Sequence, residues 1–371
     1  MINNESLRVL VVDDTVVYRK IVSDVLDELP DVEVVGIAGN GKIAMTKIVS
    51  LRPDLVTLDI EMPEMNGLEV LENIKNELPD IGAIMLSSLT QKGGEMTMKA
   101  LELGAFDFIP KPQFGTMEEN KEIIKDAIAP MLKAYIRGKE IRNILNGRTV
   151  FSEDGVKRIR PEGKTGNSQY RKGKTYKKYE KSDIVAIGIS TGGPNALAKM
   201  MPQLPPDIDV PILVVQHMPP VFTQSLAHSL NSKCAIEVRE AVDGEPLRPN
   251  TANIAPGGKQ MKIVAGADGK TRIVKITDDP PENSCKPSVD YLFRSIAHHY
   301  IGRSTGVIMT GMGSDGTLGL KLMKRNGATV IAQNEETCVV YGMPKAPIDE
   351  GIVDVVAPLN KIADEICRTV K

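Results

Sequence analysis

Five short apolar segments alternate with helix-like segments between residues 7 and 135, and this alternation limits the fold more than any other feature. The apolar segments are LRVLVV, VEVVGIA, DLVTLDI, GAIMLSS and FDFIPKP. Strands that alternate with helices in this way predict a doubly wound α/β domain with a five-stranded parallel sheet. Because such sheets bind ligands at the carboxyl ends of their strands, the residues that follow each segment are the first site candidates.

Polar side chains follow four of these predicted strands. Asp13 and Asp14 follow the first strand, Asp59 the third, Ser87 the fourth and Lys111 the fifth. Three carboxylates in one crevice raise one another's pKa unless a cation lies among them, and their hard oxygen atoms suit Mg²⁺. Each aspartate alone could simply end a strand or cap a helix, but the matched positions together predict a magnesium-binding crevice.

These motifs resemble the receiver domain of bacterial two-component response regulators. The resemblance rests on VVDDT, on DIEMP at 59–63 with Gly67, on LSS and on IPKP, and it covers residues 7 to about 130. It implies a flavodoxin-like fold in which a histidine kinase phosphorylates Asp59. It also implies roles for two further groups of residues: Asp13, Asp14, Asp59 and the Glu61 carbonyl around Mg²⁺, and Ser87, Phe108 and Lys111 as the switch that senses the phosphoryl group.

The charge of the chain changes sign after this first region. Residues 1–135 contain 13 Lys and Arg against 23 Asp and Glu, a net of −10, whereas residues 147–182 contain 11 against 4, a net of +7. The second stretch has few periodic apolar positions, which is typical of a solvated linker. We therefore predict a receiver domain at 1–135, a helical extension and basic linker at 136–182, and an output domain at 183–371.

Length, charge and cysteine spacing narrow the class of protein. With 42% hydrophobic residues, 371 residues can bury two cores, and a net charge of −2 argues against a nucleic-acid partner. Four distant cysteines without a CxxC pair predict neither a zinc site nor a disulfide framework. Because the sequence shows no signal peptide and no apolar run of bilayer length, we expect a cytoplasmic protein without membrane insertion.

Three apolar segments of the C-terminal half each lead to a residue type used in acyl transfer. DIVAIGIS ends at Ser190, VPILVVQH ends at His217, and STGVIMTGMGSD ends at Asp315. If the strands are parallel neighbours, these residues meet as a nucleophile, its base and the carboxylate that orients the base. Singly, Ser190 could cap a helix, His217 could be an ordinary hydrogen-bonded histidine, and Asp315 could serve a turn.

The glycine-rich turn after Ser190 could also be a phosphate cradle. A P-loop requires lysine and a hydroxyl residue after its second glycine, but Gly193 is followed by Pro194, and the dinucleotide fingerprint requires glycine at position 190. The turn instead matches G-x-S-x-G, the serine turn of α/β-hydrolases. That family orders its triad as serine, acid, histidine, whereas the order here is Ser190, His217, Asp315, so that family is disfavoured.

The C-terminal motifs resemble the catalytic domain of CheB-type chemotaxis-receptor methylesterases over residues 183 to about 368. They are STGGP at 190–194, QHMP at 216–219, APGG at 255–258, PSVDYLF at 287–293, TGMGSDG at 310–316 and YGMP at 341–344. The resemblance implies hydrolysis of glutamate methyl esters on methyl-accepting chemotaxis receptors, with deamidation of glutamines as a second activity. It also implies a chemotaxis histidine kinase as the phosphoryl donor.

The resemblance assigns Ser190 as nucleophile, His217 as base and Asp315 as its orienting acid, with the backbone N–H groups of Thr191 and Met312 as the oxyanion hole. No cofactor is expected in this second site. The turn AGADGKTR predicts a β-hairpin, so we expect a doubly wound sheet that is mixed and mostly parallel. We expect the unphosphorylated receiver to pack over the Ser190 edge. The alternative to an esterase is a C-terminal half that only binds a partner or a nucleotide. In that case the basic linker could contact nucleic acid or the acidic receiver.

Overall fold

A computed structural model describes residues 6–145 and 181–370 of the chain. Most of the predicted basic linker falls on residues 146–180 and therefore lies outside the described residues. Within the described ranges, no helix combines the length and the apolar character needed to cross a membrane.

The N-terminal half is a five-stranded parallel sheet with the strand order β2-β1-β3-β4-β5. This is the flavodoxin-like order, and it confirms the predicted receiver fold. Its strands are β1 (Leu7–Val12), β2 (Val32–Ala38), β3 (Leu55–Asp59), β4 (Gly82–Ser87) and β5 (Asp107–Pro110). Its helices are α1 (Val16–Asp27), α2 (Gly41–Leu51), α3 (Gly67–Glu77), α4 (Gln91–Leu103) and α5 (Met117–Leu145).

Local sequence explains how the receiver elements begin and end. β1 and β3 lie in the middle of the sheet and are almost entirely buried, which accounts for their mostly aliphatic sequences. Asn66 caps α3 by accepting hydrogen bonds from the N–H groups of Leu68 and Glu69, and the Glu69 carboxylate accepts from Asn66 N in return. α5 continues past residue 135, so the receiver shares one helix with the start of the predicted connecting segment.

The C-terminal half is a seven-stranded sheet with the order β14-β13-β12-β6-β7-β9-β8. Its strands are β6 (Ile184–Ile189), β7 (Ile212–Gln216), β8 (Glu237–Glu240), β9 (Thr251–Ile254), β12 (Ser304–Ile308), β13 (Thr329–Gln333) and β14 (Val355–Ala357). The helices are α6 (Gly193–Met200), α7 (Phe222–Asn231), α8 (Val289–His299), α9 (Thr317–Arg325), α10 (Lys345–Asp349) and α11 (Leu359–Val370).

The predicted hairpin is confirmed as β10 (Gln260–Ala265) and β11 (Arg272–Thr277). It forms a separate antiparallel sheet, because β10 packs against α8 and does not pair with the large sheet. Every strand pair described in the seven-stranded sheet is therefore parallel. Parallel order brings the carboxyl ends of β12, β6 and β7 together at one edge.

Candidate active site

Ser190 stands directly after β6, and its N–H donates to Thr310 O at 2.9 Å. It does not cap the following helix, because α6 begins at Gly193 and its N-cap is Gly192, which has no side chain to accept a bond. Gly192 adopts a positive φ of 74°, a conformation that glycine tolerates and that turns the chain sharply after Ser190. The serine is thus placed in a tight strand-to-helix turn.

His217 lies beside Ser190 because β6 and β7 are paired, with Ile189 opposite Gln216. The Gln216 side chain ties the two strand ends together, since its Nε2 donates to Ser190 O at 3.0 Å and to His217 O at 3.3 Å. His217 Nε2 lies 2.9 Å from Asp315 Oδ2. The structure therefore brings all three residues predicted from strand ends to one edge.

Asp315 is held at the N-terminus of α8 by more donors than His217 alone. Oδ2 accepts from Val289 N at 2.7 Å; Oδ1 accepts from Asn283 Nδ2 and Ser288 Oγ, both at 2.9 Å, and from Asp290 N and Gly316 N, both at 3.1 Å. A helix N-terminus and these donors favour negative charge. Burial raises the pKa of Asp315, but the hydrogen bond and charge of His217, with the other donors, hold it below its usual range.

The ring of His217 is poised to carry a positive charge. Burial lowers the pKa of His217, but hydrogen bonds with Asp315 and Cys285 outweigh burial and raise the pKa to about 9. Nε2 faces Asp315, so Nδ1 is the ring nitrogen on the side away from the carboxylate. Within the described residues, no hydrogen bond joins Ser190 Oγ to His217, a gap that often closes only when substrate is bound.

Cys285 is a site residue that sequence reasoning missed. Its Sγ lies 3.6 Å from His217 Nδ1. Asn283 and Ser288, which bind Asp315, were missed as well. The PSVDYLF motif marked the neighbourhood of all three, but neither composition nor spacing indicates that a segment between the hairpin and α8 folds back onto the histidine.

The predicted oxyanion donors flank Ser190. A Cβ at Gly311 would lie 2.7 Å from the Ser190 Cβ, so the segment that leads to Met312 passes directly against the serine. Met312 itself is half exposed, at 49%. In the ranges that the structure describes, no hydrogen bond uses the backbone N–H of Thr191 or Met312. Both amides are thus open to a further acceptor in those ranges.

The receiver crevice assembles the predicted acidic residues. Asp13, Asp14 and Asp59 each offer a carboxylate oxygen, and these oxygens lie within 4.8 Å of one another. Lys111 Nζ lies 2.7 Å from Asp13 Oδ2 and 2.8 Å from Asp59 Oδ2. Burial raises the pKa of Asp59 to about 6, with the Asp13 charge adding to the effect and Lys111 opposing it. Glu61 N donates to Asp59 Oδ1 at 3.4 Å, which places the Glu61 peptide beside this carboxylate.

The other two predicted switch residues, Ser87 and Phe108, have partners outside the acidic cluster. Ser87 Oγ accepts a hydrogen bond from Thr97 Oγ1 at 2.7 Å and donates to Gly93 O at 3.3 Å, so it is bonded to α4. Phe108 is buried against Phe222 of α7, with ring centroids 4.7 Å apart. In this arrangement Ser87 contacts α4, and Phe108 contacts α7 of the C-terminal domain.

The receiver packs against the turn that carries Ser190. Gly192 N donates to Asp107 Oδ2 at 3.1 Å, and Asn195 Nδ2 donates to Ala105 O at 3.2 Å. Helix α4 packs against α6 and α7. Burial raises the pKa of Asp107 to about 6, although the bonds from Phe108 N and Gly192 N oppose this. The expected contact between the receiver and the Ser190 edge is therefore present.

Together these features define a class, a response regulator whose receiver is joined to a hydrolase domain built on a parallel sheet. Family models for the CheB methylesterase and for the response regulator receiver domain match residues 185–366 and 9–124. A protein-glutamate methylesterase/protein-glutamine glutaminase of Desulfotalea psychrophila is 58% identical over 99% of both chains. One of the same name from Trichodesmium erythraeum is 41% identical over 98% of this chain and 99% of its own.

The solved catalytic domain of the Thermotoga maritima CheB methylesterase is 42% identical; the match covers 51% of this chain and 99% of that one, with a TM-score of 0.49. The full-length identities show that the chain belongs to the CheB methylesterase family and carries a receiver domain.

Proposed function

We propose that this chain hydrolyses glutamate methyl esters, and deamidates glutamines, on methyl-accepting chemotaxis receptors in the cytoplasm. The observation that carries the proposal is the His217–Asp315 pair at the strand end next to Ser190. The names of the full-length relatives support the substrate class. A chemotaxis histidine kinase controls the activity by phosphorylating Asp59.

The proposed reaction proceeds through an acyl-serine. Ser190 Oγ attacks the ester carbonyl while His217 Nδ1 takes its proton, and Asp315 stabilises the resulting imidazolium. The N–H groups of Thr191 and Met312 bind the tetrahedral oxyanion. His217 then donates the proton to the leaving methoxide, which departs as methanol. A water molecule, deprotonated by His217, hydrolyses the acyl-serine; with a glutamine substrate, ammonia leaves in place of methanol.

The residues of the receiver crevice fit Mg²⁺, because hard carboxylate oxygens lie close together there. Burial raises the pKa of Asp59, and a bound cation would offset this cost of holding the carboxylate ionised. Asp13, Asp14, Asp59 and the Glu61 carbonyl would hold the ion, which when bound offsets the charge of the phosphoryl group. Lys111, already between two carboxylates, would pair with the phosphoryl oxygens. Ser87 would turn from α4 toward the same group.

A fluorophosphonate probe tests the hydrolase assignment directly. Such probes phosphonylate an activated serine, so we expect covalent labelling at Ser190, located by peptide mass spectrometry. Methanol release from methylated receptor is measured in parallel, because a probe can fail to fit. Absence of both labelling and methanol release from phosphorylated protein would contradict the assignment and favour a C-terminal half that only binds a partner.

A structural change caused by phosphorylation of Asp59 can be transmitted to the Ser190 turn through α4. Ser87 bonds α4 at Gly93 and Thr97, and the same helix meets the C-terminal domain through Glu102. Withdrawal of the Ser87 hydroxyl toward a phosphoryl group would release one attachment of this helix. A packed interface with two arrangements converts such a small shift into opening.

Reversing the charge of Glu102 should open this interface without phosphorylation. Glu102 accepts from Ser229 Oγ at 2.7 Å and pairs with Lys233 at 2.5 Å, so Glu102→Lys sets two lysines against each other. An exposed pair of this kind is worth up to about 1 kcal/mol, which predicts roughly a fivefold rise in the methanol-release rate of unphosphorylated protein. Glu95→Lys on the exposed side of α4 is the matched control. Equal rates for both variants would show that this contact does not restrain the esterase.

A further inference from the structure

The thiol of Cys285 has no role in the proposed reaction, yet it faces the imidazole nitrogen that acts as the base. Cys285 Sγ lies 3.6 Å from His217 Nδ1, and ligand atoms of His217, Cys285 and Asp315 all lie within 4.8 Å of one another. Histidine and cysteine are the preferred ligands of borderline-soft divalent cations. The three residues come from distant parts of the sequence, which is why cysteine spacing did not predict a metal site.

We propose that a divalent cation of the zinc class binds between Cys285 Sγ and His217 Nδ1 and thereby reversibly inhibits the esterase. Tetrahedral zinc lies about 2.0–2.1 Å from a histidine nitrogen and about 2.3 Å from a cysteine sulfur. At the tetrahedral angle, these bond lengths require the two ligand atoms to be about 3.6 Å apart. The observed separation of 3.6 Å meets this requirement.

The second ring nitrogen of His217, Nε2, pairs with a carboxylate, as the second nitrogen of a metal-binding histidine often does. Asp315 Oδ2 lies 2.9 Å from Nε2, which gives the carboxylate–histidine arrangement that fixes the ring and raises the basicity of its free nitrogen. Val289 N and four further donors hold the carboxylate in turn. Asp315 would thus hold the His217 ring in the orientation that a metal bound at Nδ1 requires.

The segment that carries Cys285 holds the thiol in place. Glu282 and Cys285 exchange two backbone hydrogen bonds, at 3.1 and 2.7 Å, and the intervening Asn283 and Ser284 have positive φ angles of 51° and 61°. Cys285 and His217 both line an open cavity of about 360 Å³. This cavity gives the cation an entry path and gives water the coordination positions that the protein leaves open.

Metal binding would block the reaction at His217 Nδ1, the atom that accepts the serine proton. The thiol loses its proton to solvent as the sulfur–metal bond forms, and the metal takes the Nδ1 lone pair that Ser190 needs as its proton acceptor. The cation is therefore an inhibitor and takes no part in hydrolysis. This inference rests on the proposed function, because it assumes that His217 is the base. Cys234 and Cys338 are poor competitors, because burial raises the pKa of their thiols to about 11 and about 12.

Cobalt(II) is the probe for this site, since it replaces zinc and gives a near-ultraviolet charge-transfer band when a thiolate binds it. The full-length protein, with Mg²⁺ in excess, is titrated with Co²⁺ while the band and methanol release are recorded. Both should share one half-saturation concentration. At ten times that concentration the rate should fall about elevenfold, because one-site inhibition scales as 1/(1 + [L]/Kd). Zn²⁺ should displace Co²⁺ and inhibit at lower concentration.

Cysteine variants test whether the band and the inhibition arise at Cys285. Cys285→Ser and Cys285→Ala, each compared with its own metal-free rate, should lose both the band and the inhibition, whereas Cys234→Ser should keep both. A chelator should restore the wild-type rate. Absence of the band in wild-type protein, or equal inhibition with and without Cys285, would overturn the site. Absence of methanol release from phosphorylated wild-type protein that holds Mg²⁺ but neither Co²⁺ nor Zn²⁺ would instead refute the proposed function.

Discussion

Replacing Ser190 by alanine is expected to lower the rate of methanol release by about 10⁶-fold, the order of loss seen when the serine of an unrelated triad is removed. Without the hydroxyl no acyl-enzyme forms, and the remaining amides can only polarise the carbonyl for attack by water. The measurement is single-turnover methanol release from methylated receptor, with phosphorylated protein so that access to the site does not limit the rate.

Ser232→Ala provides the matched control, because Ser232 is an exposed serine of the same domain just after α7. It should keep the wild-type rate, and both variants should still incorporate phosphate at Asp59. If Ser190→Ala retained more than about a thousandth of the wild-type rate, covalent catalysis by this serine would be excluded. Loss of phosphorylation together with hydrolysis would point to misfolding of the whole chain.

Strand ends were predictable from the sequence because parallel sheets obey a simple rule. Aliphatic segments buried on both faces mark the strands, and the rule that their carboxyl ends share an edge then places Asp13 near Asp59 and Ser190 near His217. Asp315 is a harder case, since six residues separate it from the end of β12. Its position depends on the donors at the start of α8, which belong to another segment of the chain.

Contacts between distant segments were not predictable in the same way. The fold of Cys285 onto His217 depends on a turn in which Asn283 and Ser284 both have positive φ, although neither is a glycine that would signal it. Phe108 was expected from the family resemblance as a switch, but only the packed domains show that its ring meets Phe222. Likewise, nothing in the sequence marks Asp107 as the acceptor for Gly192 N.

Replacing Asp315 by asparagine should cost about 10⁴-fold in kcat, because the amide reverses the tautomer of His217. Four donors surround the Oδ1 position, so the asparagine keeps its oxygen there and directs its NH₂ group toward the Oδ2 side. That group then donates to His217 Nε2, and the ring proton must move to Nδ1. A protonated Nδ1 cannot accept the proton of Ser190, and the NH₂ group also leaves Val289 N without the acceptor that it had in Oδ2.

Asp290→Asn separates this tautomer effect from the loss of a buried carboxylate. Asp290 accepts from Gly319 N at 2.7 Å and from Asn283 Nδ2 at 3.1 Å, but makes no hydrogen bond to His217 within the described residues. Burial raises the pKa of Asp290, so a neutral amide replaces a group that already resists ionisation. We expect a much smaller loss of kcat, with nitrogen NMR of His217 showing the Nδ1–H tautomer only in Asp315→Asn. Equal losses in both variants, with the same tautomer, would mean that Asp315 supports the fold of the site and does not orient the base.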